Sequence, residues 1–386
     1  MLTSNKTTTS LLSLNFVSLV ISSIFFYSSM YIVLNYLPDF VLSYGGSQAD
    51  IGLATGALVF SSLLVRLFAG WIIDKWGRKW VIISGCTIFT FAPLLYGFVN
   101  SVNGLIAARM MLGIGLSLFT TAGLTVVTDI TEKSRWGEAT GFFLSAQLVA
   151  ISLAPGLGSL IAGSKNMLAL IPYAASFGLF SLILSVSIKT ARIHVKHQSH
   201  IKELNKHRIV ATSTASMAVG LGYATVITFL PIIAKQNGMN SASLFYLIYA
   251  LIALIVRAPA GRLSDRIGRR LLIFPTVILS SVALLLVSKA NTPLEMIIAA
   301  VLYGVGFGSA YPIIGAMAVD HTSNDARGIA VGFYQGGFDS GLLLGSVVGG
   351  KIGQQFGVSA IFMSVAVFIL AGLLLFYFLS IPKFEN

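Results

Sequence analysis

The stretch Arg66–Lys79, RLFAGWIIDKWGRK, occurs a second time as RAPAGRLSDRIGRR over Arg257–Arg270, with Arg, Gly, Asp, Gly and Arg in register at an offset of 191 residues. The same shift carries Gly113 and Gly115 onto Gly304 and Gly306, Asp129 onto Asp320, Gly141 onto Gly332 and Gly158 onto Gly349. YLPDF at 36–40 matches FLPII at 229–233 only after a two-residue slip. The chain is therefore two copies of one unit, and each copy holds six long apolar runs.

Those runs sit in a chain of 386 residues that is 56% hydrophobic and 10% charged, with a mean hydropathy of +0.87. Soluble proteins carry about 25% charged residues, so there is too little polar surface here to face water. This excludes a disordered chain, a nucleic-acid binder and an ordinary soluble enzyme. A helical span needs about 20 mostly apolar residues, and the runs are continuous rather than alternating, which argues against a barrel. Twelve spans are expected: 11–37, 48–73, 80–99, 102–127, 138–162, 167–189, 208–234, 241–264, 271–289, 293–318, 329–350 and 357–382. The first is too long for a signal-peptide core and has no small-residue cleavage site behind it, so it reads as a retained helix. Six spans per copy is an even number, so both copies insert in the same orientation, as parallel repeats related by an axis along the membrane normal. The expected fold is an all-α integral membrane protein: a six-helix bundle over 1–189, a linker over 190–207 and a second six-helix bundle over 208–386.

The net charge of +12 reflects topology. With the N-terminus inside, 18 of the 25 Lys and Arg residues fall in inside segments, four (Lys165, Lys235, Lys289 and Lys351) lie outside, and Arg66, Arg109 and Arg257 lie within spans. That bias places both termini in the cytoplasm, with the chain multi-pass in the cell's inner (cytoplasmic) membrane. Trp71, Trp76, Trp80 and Trp136 all fall at inside boundaries, where amphipathic rings prefer to sit. A single cysteine, Cys86, excludes a disulfide framework or a Cys-based metal site. His194, His197, His200 and His207 lie among lysines in the linker and read as a solvated basic segment, so no metal is expected.

Within the repeated stretch, Gly70–Lys79 reads G-x-x-x-D-K-x-G-R-K and Gly261–Arg270 reads G-x-x-x-D-R-x-G-R-R, each joining an even-numbered span to the next on the inside. Glycine permits the sharp turn, the basic residues hold the loop at the anionic face, and the aspartate can meet a helix N-terminus. These residues closely resemble the loop 2–3 signature of the major facilitator superfamily, and the resemblance covers nearly the whole chain. It implies that the motif aspartates, here Asp74 and Asp265, dock near the starts of spans 11 and 5 and lock a cytoplasmic gate. Gly70, Gly77, Gly261, Gly268 and Arg269 would shape those loops, and Arg78 would pair with Asp129. The alternative is that the motif fixes only topology and loop shape.

Arg109 opens RMMLGIG in span 4, similar to the R-x-x-x-G-x-G pattern of proton-coupled members of that family. Its repeat mate is Ala300, so symmetry imposes no scaffold role, and an intramembrane arginine is a functional candidate. A structural pair with Asp39 is the other reading. Span 5 contains AISLAPGLGS, which resembles the antiporter signature with Pro155 and Gly158 intact; the second half has Gly341, Gly345 and Gly349 at matching places. Small residues four apart equally permit close helix packing.

Asp339, about ten residues into span 11 in YQGGFDSG, is an acid near mid-membrane. A carboxylate there is costly when charged, which suits it to carry a proton; permanent pairing, or capping a break at Gly336–Gly337, is the alternative. Drug–proton exporters of the family often carry an acid within span 1, but here that span offers Tyr27, Tyr31 and Asn35 instead. Arg66 and Arg257, being repeated, read as structural partners of carbonyls or headgroups. By family analogy the cavity is lined by spans 1, 4, 5, 7, 8, 10 and 11, with Tyr31, Asn35, Gln147, Tyr223, Tyr303, Tyr311 and Gln335 as candidates.

There is no P-loop and no nucleophile triad. The expected protein is not an enzyme and takes no cofactor. It is a secondary active transporter of the drug or metabolite:proton antiporter type, exporting a small amphipathic molecule by alternating access as a monomer and drawing on the proton gradient. Asp339, Arg109 and Asp39 are the coupling candidates. The nearest alternative is an uptake symporter for a sugar, organic acid or similar nutrient, and a non-transporting membrane sensor stands further off.

Overall fold

The computed structural model describes residues 13–132, 135–163, 167–190, 206–239, 241–320 and 327–380. Most of the expected linker, with His194, His197 and His200, and both termini lie outside the described residues. The described residues form α1 (Leu14–Tyr31), α2 (Leu37–Ser43), α3 (Gln48–Trp76), α4 (Arg78–Leu95), α5 (Val102–Ile130), α6 (Trp136–Ala162) and α7 (Ile171–Ser187). The second set comprises α8 (Lys206–Gln236), α9 (Ser243–Ile267), α10 (Arg269–Lys289), α11 (Pro293–Val319), α12 (Arg327–Phe356) and α13 (Val358–Ser380). This is an all-α, twelve-span fold in which the first span is two helices. Eleven of the described helices are long and apolar enough to cross a membrane by that criterion alone. The exception among the long ones is α12, whose nine glycines and Asp339 lower its hydropathy.

The expected single run over 11–37 is broken. Pro38 occupies the first turn of α2, where it has no N–H to offer the Leu34 carbonyl and its ring crowds that oxygen. The chain passes through tight turns instead, with Leu34 N–H donating to Tyr31 O and Tyr36 N–H to Val33 O.

The repeat is visible in three dimensions. Gly77 and Gly268 have φ of +83° and +96° and each separates two helices, α3 from α4 and α9 from α10. A side chain is disfavoured in that conformation, which is why glycine stands at both places. Next to them, Arg78 pairs with Asp129 and Arg269 with Asp320 at 3.0 Å, two ion pairs related by the repeat.

Helices α1–α7 pack among themselves, as do α8–α13, and two principal crossings join the halves: α3 against α12 and α6 against α9. The crossings exchange under the repeat. The α8–α12 packing is made close by small residues: a Cβ at Gly341 would collide with Met217 O, and one at Gly345 would meet Leu221 O at 2.9 Å. A Cβ at Gly158 would collide with Ile32 O, so α6 lies against the backbone where α1 ends. The end of the molecule carrying Gly77 and Gly268 is called the motif face below, and the end carrying Asp39 and Asp50 the far face.

Candidate functional site

Between the halves lies a cavity of about 130 Å³, walled by α1, α3, α5, α6, α8, α11 and α12. Of the residues singled out in the sequence, Tyr31, Arg109, Gln147, Tyr223, Tyr311, Gln335 and Asp339 line it. The lining also includes Tyr27, Thr55, Ser62, Arg66, Thr120 and Phe338. Span 2 (α3) is thus a wall that family analogy omitted, and span 8 (α9) contributes no lining residue.

Asp339 does not stand alone. Arg66 of α3 donates to it across the half interface, forming an ion pair in which the side chains are 24% and 16% exposed. This corrects the reading of Arg66 as a partner of carbonyls or headgroups. The arginine belongs to the first half and its acid to the second, and a mid-membrane cation satisfies its charge best with an anion. Its repeat mate Arg257 also crosses the interface, donating to Ser145 Oγ of α6 at 3.1 Å. Tyr311 lies within electrostatic range of Arg66, Asp339 and Arg257.

At the other end of the cavity, Arg109 is 5% exposed and its Nε donates to Ala54 O at 3.3 Å, with the Tyr96 hydroxyl as a further polar neighbour. It does not pair with Asp39, which is half exposed at the far face and bonded to Lys235 at 2.9 Å. Ala54 and Arg66 lie twelve residues apart on α3, so at a rise of 1.5 Å per residue the two arginine sites are separated by about 18 Å along the helix. The cavity carries an arginine at each end, with aromatic and aliphatic residues and the Gln147 amide between.

Midway, the hydroxyls of Tyr31 and Tyr223 are 2.8 Å apart, and Gln147 Nε2 donates to them at 2.7 and 3.2 Å. The two tyrosines are 192 residues apart in sequence, repeat mates to within the slip already noted, and they meet where the halves face each other. A column of rings continues from Tyr223 through Phe307 to Tyr303 on one side and Tyr311 on the other. Tyr303 is 1% exposed and sits inside the second half rather than in the cavity, because its position on α11 faces Tyr249 and Phe245.

The halves are closed at the far face. Asn35, predicted for the cavity, instead donates to Pro155 O, Ser159 Oγ and Ser243 Oγ at 3.3, 3.1 and 2.7 Å. The break after α1 takes it out of helical register with Tyr27 and Tyr31 and into a serine cluster spanning both halves. Beside it, a Cβ at Gly52 would collide with Ser346 O, and one at Gly350 would meet Gln48 O at 2.8 Å. At the motif face, Asp74 is exposed and forms no ion pair among the described residues, while Asp265, 64% exposed, pairs with Arg269 of its own half at 3.1 Å. Neither aspartate is docked on the opposite half, contrary to the expectation for a locked gate. The halves are held together at the far face and the motif loops stand apart.

The sequence profile of the Major Facilitator Superfamily matches residues 19–212 and again 212–385. An uncharacterized MFS-type transporter of Methanocaldococcus jannaschii is 23% identical over 341 residues, covering 84% of this chain and 87% of that one. Multidrug resistance protein MdtG of Escherichia coli is 22% identical over 365 residues, covering 89% and 88%. Among solved structures, the nucleoside transporter NupG superposes with a TM-score of 0.78 at 14% identity, over 95% of this chain and 100% of that one. A bacterial homolog of the human lysosomal transporter Spinster, solved inward-facing and unoccupied, gives 0.74 at 16% identity, over 94% and 96%. The human organic anion transporter MFSD10 gives 0.71 at 14%, over 94% and 99%. At these identities the structural likeness speaks for the fold alone.

Proposed function

This chain belongs to the major facilitator superfamily and is a multi-pass membrane transporter, not an enzyme; from that premise we propose that it exports a small amphipathic organic molecule in exchange for protons, by alternating access. The observation that carries this reading is the ion pair between Arg66 and Asp339, which crosses the two halves at the wall of their shared cavity. The basic bias of the sequence assigns the motif face to the cytoplasm, so the cavity here is closed outward. The multidrug resistance relative supports export as the direction.

In the cycle, ionised Asp339 is held by Arg66 while the cytoplasmic side is open and substrate enters between the halves. The loaded protein rocks to face outward; there a proton from outside lands on Asp339, cancels the charge that Arg66 meets and loosens α3 from α12, and once substrate has left the halves rock back. Discharge of that proton inward restores the pair. In the alternate state Asp74 and Asp265 dock and latch the cytoplasmic side. Since one chain supplies every wall of the cavity, a monomer suffices.

The test is retention of three fluorescent probes, one anionic, one neutral and one cationic, in cells expressing wild type or Asp339→Asn, with and without an uncoupler. Export predicts that at least one probe is depleted by wild type only, and that the uncoupler abolishes the depletion. Accumulation instead of depletion supports uptake. Movement that ignores the proton gradient, with Asp339→Asn behaving as wild type, refutes coupling through this acid.

A further inference from the structure

We infer that the transported molecule is an organic monocarboxylate, and that Arg109 is the residue that takes its carboxylate. This rests on the transport reading above but not on its direction or its coupling ion.

The argument is one of charge and geometry. Two arginines line the cavity, Arg66 and Arg109, against one acid, Asp339. Arg66 and Asp339 neutralise each other. Arg109 is left with a backbone carbonyl and a tyrosine hydroxyl for company, at 5% exposure. The acids nearest in sequence to its surroundings are committed elsewhere. Asp39 is bonded to Lys235, and Asp50, one turn before Ala54, accepts from Ser47 N–H at 2.7 Å in the capping box of α3. A guanidinium cannot shed its proton in a protein, and a buried cation without an anion is costly. The occupant that removes this cost is an anion.

Its class follows from what Arg109 has left to give. Nε is already used on Ala54 O, and the terminal nitrogens of a guanidinium match the two oxygens of a carboxylate. One cation at this end calls for one negative charge, whereas a phosphate monoester would bring nearly two. From Arg109 the cavity runs toward Arg66, past Tyr31, Tyr27 and Phe338. Those rings suit an apolar or aromatic body extending from the carboxylate. A cationic substrate would meet uncompensated positive charge in the same place.

The experiment measures binding to purified protein without a gradient. The probes are benzoate, 2-naphthoate and biphenyl-4-carboxylate, each alongside its carboxamide and its aminomethyl analogue, read by thermal shift and titration. The carboxylates are expected to bind about tenfold more tightly than the matched carboxamides, the difference expected for a charge-assisted hydrogen bond. The amines should bind no better than the carboxamides. Arg109→Gln should abolish the carboxylate preference, and Arg109→Lys, which keeps the charge but loses the fork, should retain part of it. Carboxamides or amines binding as tightly as carboxylates would overturn the inference, as would a preference that survives in Arg109→Gln. So would the lack of any carboxylate-dependent binding across the series. The wild-type arm needs no variant, so a misfolded Arg109→Gln does not rescue the idea. Gradient-insensitive transport with the carboxylate preference intact would sink the coupling reading alone.

Discussion

Arg66→Gln, Asp339→Asn and the double variant together form a thermodynamic cycle on the contact that joins the halves inside the cavity wall. Removing one partner of a buried ion pair costs roughly 3–5 kcal/mol, because the other charge is stranded. Here the side chains are 24% and 16% exposed, so solvent screening brings the expected coupling down to about 2 kcal/mol. That corresponds to about thirtyfold in an equilibrium constant, enough to move the balance between two arrangements of the halves. The coupling requires ionised Asp339, so it is present at high pH and fades as pH falls and the acid gains its proton. Stability is read by unfolding at pH 8 and at successively lower pH. Arrangement is read from distances between spin labels at Lys75→Cys and Arg266→Cys, both exposed at the motif face. Native Cys86 is fully buried and stays silent to the label. Asp339→Asn alone should be the least stable, because the stranded Arg66 cannot shed its proton whereas a stranded Asp339 can take one up; the double variant should recover most of the loss, and Asp339→Asn should change the distance distribution without acid. A coupling below about 0.5 kcal/mol, or identical distances in all four proteins, would refute the assignment of this pair as the element that protons act upon.

Three further outcomes follow from the packing and the polar contacts. Gly341→Ala should lower yield and melting temperature sharply, since its Cβ would collide with the Met217 carbonyl, whereas Gly332→Ala, with open space around it, should be neutral or stabilising by up to about 1 kcal/mol in the same melts. Tyr31→Phe or Tyr223→Phe should cost about 1 kcal/mol, and the double substitution little more, because the two hydroxyls bond each other and share Gln147. Lys235→Ala should change stability by less than about 1 kcal/mol, since its pair with Asp39 is largely solvent-exposed; a larger loss in melts run at low and high salt would contradict that.

Much of this was legible in the sequence because it repeats. The offset of 191 located both motif glycines, and the Arg78–Asp129 pair it suggested has an observed mate in Arg269–Asp320. Asp339 was legible for the opposite reason: the residue 191 positions earlier is Leu148, so the acid breaks the pattern. Its partner was not legible. Arg66 is repeated as Arg257, and a repeated residue reads as scaffold, yet one copy meets an aspartate and the other a serine. Only the packing of α3 on α12 reveals which. Asn35 and Tyr303 fell outside the cavity for local reasons. The first lies within the break between α1 and α2, and the second lies at the end of a ring column where α11 turns into its own half. The state of the gate was beyond sequence altogether, since the same Asp74 and Asp265 serve an open and a closed face.

Where α3 meets α12 at the far face, the seam is closest at main chain: Gly52 against the carbonyl of Ser346, and Gly350 against that of Gln48. Such a seam has few rotamers to freeze when it forms and few long side chains to strand when it parts. Hydrophobic adhesion scales with apolar area, about 25 cal/mol per Å², and glycine offers very little of it. The joint is therefore tight in shape yet shallow in energy, like a ground-glass stopper rather than a glued one. A machine that must open and reseal the same edge on every turnover is served by that combination, and bulky residues grafted along the seam would jam it long before they unfolded it.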